Sequence, residues 1–369
     1  MKRRDVWIWT AALISLALVA PYFLYPVFLM QGLCMALFAC AFDLLLGYVG
    51  LLSFGHAAFM GSAAYITAHV CKVWGFPPEL GIICGVAVAA TLGAVFGILA
   101  IRRQGIYFAM ITLALSQMLY FFCVEAPFTG GEDGIQQVPR GYLLGFISLN
   151  NDMAMYWVVA AVFVAGFLLV HRIIHSPFGQ VLKAIRENEP RAISLGYRVD
   201  DYKLLAFVLS AFLAGFALIQ RTVNSPFGQV IKAIRENEPR ATSLGYRAER
   251  YKLLAFVLSA ALAGLAGATK ALVLQFASLT DVDWTTSGAV VLMTLVGGVG
   301  TPLGPVVGAF IIVTMENYLA QTGSWVTIIE GVIFVVCVLT FRRGIVGVIA
   351  PYVTGKIEPK MAEPSPEPS

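Results

Sequence analysis

Apolar residues run along this chain in blocks of about 15 to 24 positions, punctuated by short clusters of Gly, Pro and charged residues. The blocks cover residues 6–24, 27–46, 56–71, 80–101, 105–124, 155–174, 253–276, 286–300, 305–320 and 325–341. Most come close to the length at which a helix crosses a hydrocarbon core of roughly 30 Å. Barrel strands would alternate polar and apolar positions over about ten residues, and these blocks do not alternate. The pattern therefore predicts an all-α polytopic transmembrane helical bundle of about ten spans. One further block, 204–219, is short, and whether it crosses depends on the charges around it.

Composition agrees: of 369 residues, 59% are hydrophobic and 12% charged, against about a quarter charged in soluble domains. A net charge of +4 is too small to point to nucleic acid, and its placement matters more. With Lys2, Arg3 and Arg4 inside, the turn 47–55 and Arg102–Arg103 fall inside as well. The acidic loop 126–154, with Glu132, Asp133 and Asp152 against Arg140, falls outside. If 204–219 crossed, the basic residues from Arg221 to Lys252 and the Arg342–Arg343 pair would end up outside. The positive-inside rule favours the alternative, in which 204–219 is re-entrant or surface-lying. The first block follows a basic start but lacks a small-x-small cleavage site, so it reads as a retained helix. Residues 351–369, rich in Lys, Glu, Pro and Ser, read as a disordered cytoplasmic tail after a membrane domain over 1–350.

One polar segment occurs twice. Residues 176–217 return 49 positions later as 225–266, with 35 of 42 positions identical. Each copy opens with Ser-Pro, a helix cap and first-turn pair, and continues as an amphipathic helix with Arg186 and Glu187 on its polar face. Two copies are too few for a solenoid, so the repeat reads as one segment duplicated inside another fold. The element is either a handle for a soluble partner or an ordinary amphipathic connector.

Two stretches are dense in small residues. Residues 47–68 hold Gly50, Ser53, Gly55, His56 and Gly61, and 297–309 hold Gly297, Gly298 and Gly300. Small residues allow close helix packing, or a broken helix lining a substrate path, and for 297–309 a tight helical hairpin is the alternative. Asp43 sits where it can cap the turn that follows it, and by itself is a poor proton relay. The outer loop, with Gly130, Gly131 and Asp133, is a docking surface or gate, or, as its composition favours, a plain solvated loop. Six cysteines without a CxxC pair, and four scattered histidines, suggest neither a disulfide framework nor a metal site. No phosphate loop, zinc-protease pair or nucleophile elbow is present, so no cofactor and no enzymatic activity are expected, and any ATP is bound by another subunit.

Several stretches taken together resemble one family, the LivM-type permease subunit of branched-chain amino-acid ABC transporters. They are DLLLGYVGLLSFGHAAFMGSAAY at 43–65, RQGIYFAMITLALSQM at 103–118, TGGEDGIQQVPRG at 129–141, the duplicated SPFG…AIREN…LGY segment, LVGGVGTPLGPVVGA at 295–309 and RRGIVGV at 342–348. The resemblance implies an importer subunit, multi-pass in a bacterial cytoplasmic membrane. Its implied partners are a second permease subunit, two cytoplasmic ABC ATPases and an extracytoplasmic binding protein. A urea or short-amide permease, a proton-coupled carrier and an inactive or regulatory permease are the alternatives. The duplicated loop then corresponds to the loop that docks the ATPase, at Arg186, Glu187, Glu189, Ala192 and Gly196 and again at Arg235, Glu236, Glu238, Ala241 and Gly245. Of the family's Glu-Ala-Ala-x-x-x-Gly pattern, only Ala192 and Gly196, or Ala241 and Gly245, agree. The family pattern has one such loop, and the second copy, which runs on into the rest of the fold, is the one expected to dock.

Overall fold

The computed structural model describes residues 19–175 and 248–319 apart from 102, 104, 144, 146 and 302, together with 329, 331–332 and 344–346. The docking-loop residues Arg186 to Gly196 and Arg235 to Gly245, block 204–219 and most of the first and last apolar blocks lie outside the described residues.

Eight helices of more than ten residues are described: α1 (Pro26–Leu46), α2 (His56–Lys72), α3 (Pro78–Ala100), α4 (Ile106–Glu125), α5 (Asp152–His175), α6 (Ala248–Leu274), α7 (Trp284–Gly297) and α8 (Gly304–Leu319). Five of them, α1, α3, α4, α5 and α6, are long and apolar enough to cross a membrane. Local chemistry sets several of their starts. Pro26 and Pro78 occupy first-turn positions, where a missing N–H costs nothing. Gly105, at φ 61°, turns the chain into α4, and Asp283 caps α7 by accepting from the Trp284 N–H at 2.7 Å.

The chain alternates direction. One face of the bundle gathers 72–77, the loop 126–151 and 275–283, joined by paired backbone hydrogen bonds between Ile135 and Ala277. The opposite face gathers the ends of α1 and α3 and the turn between α7 and α8. Helix α6 runs antiparallel to α3, so that Gly97 meets Leu253, Gly93 meets Ala260 and Gly264 meets Ala89. Consequently α5 leaves, and α6 enters, at the face opposite the loop.

Helices α1 and α6 form the centre, with α2 and α3 packed on α6 and with α5 and α8 on α1. Lipid tails are as apolar as Leu, so association relies on close packing, which small residues permit. A Cβ on Gly267 of α6 would strike the Met60 carbonyl of α2, and one on Gly166 of α5 would lie 2.5 Å from Leu37 of α1. Helices α3 and α4 are peripheral and expose Ile83, Ile98, Tyr107, Met110 and Phe121. Cys34, Cys40, Cys71 and Cys123 are buried as free thiols and pack as small core residues.

Candidate functional site

Helix α2 does not start at the surface. After α1 ends at Leu46, Gly50 takes φ 81°, residues 51–53 run without regular structure, and α2 begins at His56 against the interior of α6. An irregular backbone at such depth needs hydrogen-bond partners from the protein. Hydroxyls supply them. The Phe54 N–H donates to Thr112 Oγ1 of α4 at 3.2 Å, Gly55 N–H to Ser53 Oγ at 3.2 Å, and Ala57 N–H to Ser287 Oγ of α7 at 3.0 Å. Gly55 sits against the Thr112 carbonyl, where a side chain would crowd it.

His56 is fully buried. Its Nε2 lies 2.7 Å from Ser259 Oγ of α6, and Ser259 in turn donates to the Ala41 carbonyl of α1. Phe42, Phe59 and Phe256 present edges to the imidazole. His56 therefore ties α1, α2 and α6 together at the point where α2 begins. Its Nδ1 has no hydrogen-bond partner among the described residues.

The second glycine-rich stretch forms a tight helical hairpin. Residues 298–303 turn α7 into α8, and a Cβ on Gly297 or Gly308 would fall on the Gly304 or Met293 carbonyl, so the two backbones touch. The turn docks on the end of α1. Asp43, 3% exposed, accepts from the Gly300 N–H at 2.8 Å, and the Tyr48 hydroxyl donates to the Gly300 carbonyl at 3.1 Å. The sequence expectation had Asp43 capping the turn that follows it. Its carboxylate reaches a turn 257 positions away, and Gly47 leaves room for Gly300 beside it. Gly344 packs on Gly298 from the other side.

At the loop face, the described residues of 126–151 are folded, which corrects the expectation of a plain solvated loop. Gly130 and Gly134, at φ 81° and 66°, let the chain double back so that Ile135, Val138 and Leu149 are buried. Arg140 is buried between the Val273 carbonyl, 2.9 Å away, and Asp152, 2.6 Å away. Glu132 and Asp133 stay exposed.

Sequence reasoning overlooked a charge pair beneath this loop. Lys270, inside the apolar block that becomes α6, donates to Asp281 Oδ1 at 2.5 Å, and their side chains are 17% and 4% exposed. Asp281 belongs to a one-turn 3₁₀ helix, Leu279–Asp281, and forms a reciprocal capping box with Ser278. Gly61 lets α2 approach that turn, since a Cβ there would strike Val282. A lysine within an otherwise apolar span is a signal that could have found this pair.

The predicted path residues thus occupy two junctions. Ser53, Gly55 and His56 gather around the start of α2, with Gly61 farther along it against the Asp281 turn, while Gly297, Gly298 and Gly300 gather at the hairpin turn beside Asp43. Helix α7 connects them, with Ser287 near one end and Gly297 at the other, about 15 Å apart along its axis.

Comparison with known proteins gives the wider context. The family model described as "Branched-chain amino acid transport system / permease component" matches residues 26–220 and, separately, 217–339. The high-affinity branched-chain amino acid transport system permease protein LivM of Escherichia coli (strain K12) is 26% identical over 190 residues, 45% of each chain. The probable branched-chain amino acid transport permease protein LivM of Methanocaldococcus jannaschii is 27% identical over 147 residues, 37% of this chain and 42% of that one. The chain thus spans under half the length of the curated relatives it matches. No solved structure matches it. A helical bundle with apolar helices long enough to cross a membrane, matched by one family model over most of its length, belongs to the family of branched-chain amino acid transport system permease components.

Proposed function

We propose that this chain is the membrane-spanning permease subunit of an ATP-driven importer of branched-chain amino acids in a bacterial cytoplasmic membrane. An extracytoplasmic binding protein delivers the substrate, a second, related permease subunit completes the pathway, and two cytoplasmic ATPases hydrolyse ATP. The family match over residues 26–339 carries this reading. On it, the face holding Arg103 and the hairpin turn is cytoplasmic, and the folded loop 126–151 faces the binding protein.

The architecture supports a mechanical role for α6. This helix contains the last part of the second copy of the duplicated segment, 248–266, is about 40 Å long, and contacts α1, α2 and α3. A pull on the second docking loop, at Ala241 and Gly245, is transmitted along α6 to Ser259 and so to His56, where α2 begins. The hydroxyl bonds at Phe54 and Ala57 can be exchanged one for another, which lets the start of α2 shift between two arrangements selected by nucleotide binding. Ser53, Gly55, His56 and Gly61 then border the path, and the Gly297–Gly300 turn closes its cytoplasmic end.

The test is reconstitution with the co-expressed subunits in proteoliposomes. ATP-dependent leucine uptake that requires the binding protein is the expected result. Uptake driven by a proton gradient in the absence of any ATPase would overturn the reading. A Gly245→Pro substitution should reduce transport-coupled ATP hydrolysis more than Gly196→Pro, and the reverse ranking would assign docking to the first copy.

A further inference from the structure

The Lys270–Asp281 pair has features that a structural tie does not need. Moving two charges out of water carries a desolvation cost, and a buried pair often does no better than an apolar one. Here the pair stands between α6 and the return segment, below the folded loop at the face where a substrate would enter. Asp281 is held from below, its Oδ2 accepting from the Ser278 N–H and hydroxyl, so one oxygen is fixed by the turn and the other is left for Lys270. The ammonium of Lys270 carries three donors and spends one on Asp281. One turn beyond Gly61, on the side of α2 that meets the Asp281 turn, stands Tyr65, 1% exposed, whose hydroxyl has no partner among the described residues. A buried hydroxyl left unpaired carries an uncompensated loss of hydration, which makes it a group in want of a ligand.

We infer that Lys270, Asp281 and Tyr65 form an entry-side subsite for the headgroup of a zwitterionic amino acid, closed on itself when empty. The incoming carboxylate takes the Lys270 ammonium and the incoming ammonium takes the Asp281 carboxylate, so one internal ion pair is exchanged for two. No charge is left unmatched at any stage, and the Tyr65 hydroxyl gains a partner in the carboxylate. Urea and short amides, which lack both charges, cannot open the pair in this way. The inference rests on the importer reading above, and deepens it by naming where the headgroup is held.

In proteoliposomes containing the assembled transporter, leucine uptake and ATP hydrolysis are measured together. If the wild-type assembly moves no leucine, the importer reading fails. If it does, Lys270→Met and Asp281→Asn should each lower leucine moved per ATP at least tenfold, with Tyr65→Phe lowering it about threefold. The deciding variant is the double substitution Lys270→Met/Asp281→Asn, which leaves neither charge stranded and so should assemble more fully than either single variant. Assembly within twofold of wild type, with leucine moved per ATP still down tenfold, is the result expected. Recovery of uptake together with assembly would reduce the pair to a structural tie and overturn the inference.

Discussion

At the α7–α8 hairpin, Gly297, Gly304 and Gly308 bring two backbones into contact with no side chain between them. At the start of α2, small residues instead accompany a break in regular structure, and Ser53, Thr112 and Ser287 take up the exposed N–H groups. Both stretches look alike as glycine-rich sequence, yet at the hairpin glycines put two helix backbones in direct contact, whereas at the start of α2 side-chain hydroxyls complete the hydrogen bonding of a broken helix. A steric lock has one arrangement, whereas hydroxyl bonds can be traded as neighbouring helices slide. The hairpin is therefore the fixed element and the start of α2 the adjustable one.

Substitutions should separate the two. Gly308→Val places a side chain on the Met293 carbonyl and is expected to destabilise the protein by about 3 kcal/mol. The measurement is thermal unfolding in detergent, and an unchanged midpoint would break the comparison. Asp43→Ala strips the acceptor from the Gly300 N–H and should cost about 2 kcal/mol. Asp43→Asn keeps an oxygen there and should lose less, so equal losses would show that charge, not capping, holds the turn. Ser287→Ala should cost about 1 kcal/mol and speed hydrogen exchange at Ala57 while leaving exchange in α8 unchanged. Faster exchange in both places would mean that the two junctions are one unit. Asp152→Asn, at a partly exposed ion pair, should change stability by only about 0.5 kcal/mol, and a larger loss would make the loop cap a third structural element.

The helices were legible because apolar length sets them. Block 56–71 becomes His56–Lys72, and 305–320 becomes Gly304–Leu319. Helix α6 begins at Ala248, five positions before its apolar block, since the mixed turn Ala-Glu-Arg-Tyr-Lys continues the same helix. The folded loop was not legible. Ile135 and Val138 are isolated apolar residues in a polar stretch, and their partners Ala277 and Gln275 lie more than 130 positions away. Thr112, Ser259 and Ser287 were missed for a related reason, as single hydroxyls in apolar blocks usually bond back to their own helix. Their contacts with α1 and α2 depend on which helix is the neighbour. Within the candidate site, then, the sequence marked Ser53, His56 and the glycines through composition, but not the partners that give them a role.

The duplication leaves its mark on the family match, which falls into two pieces meeting at 217–220, between the end of one copy and the start of the other. Helix α5 departs from the bundle on the side where α6 returns to it. Polypeptide added between them has only to begin and finish on that side for every later crossing to keep its sense. A gene that lengthens at this point can do so without turning the remainder of its product inside out.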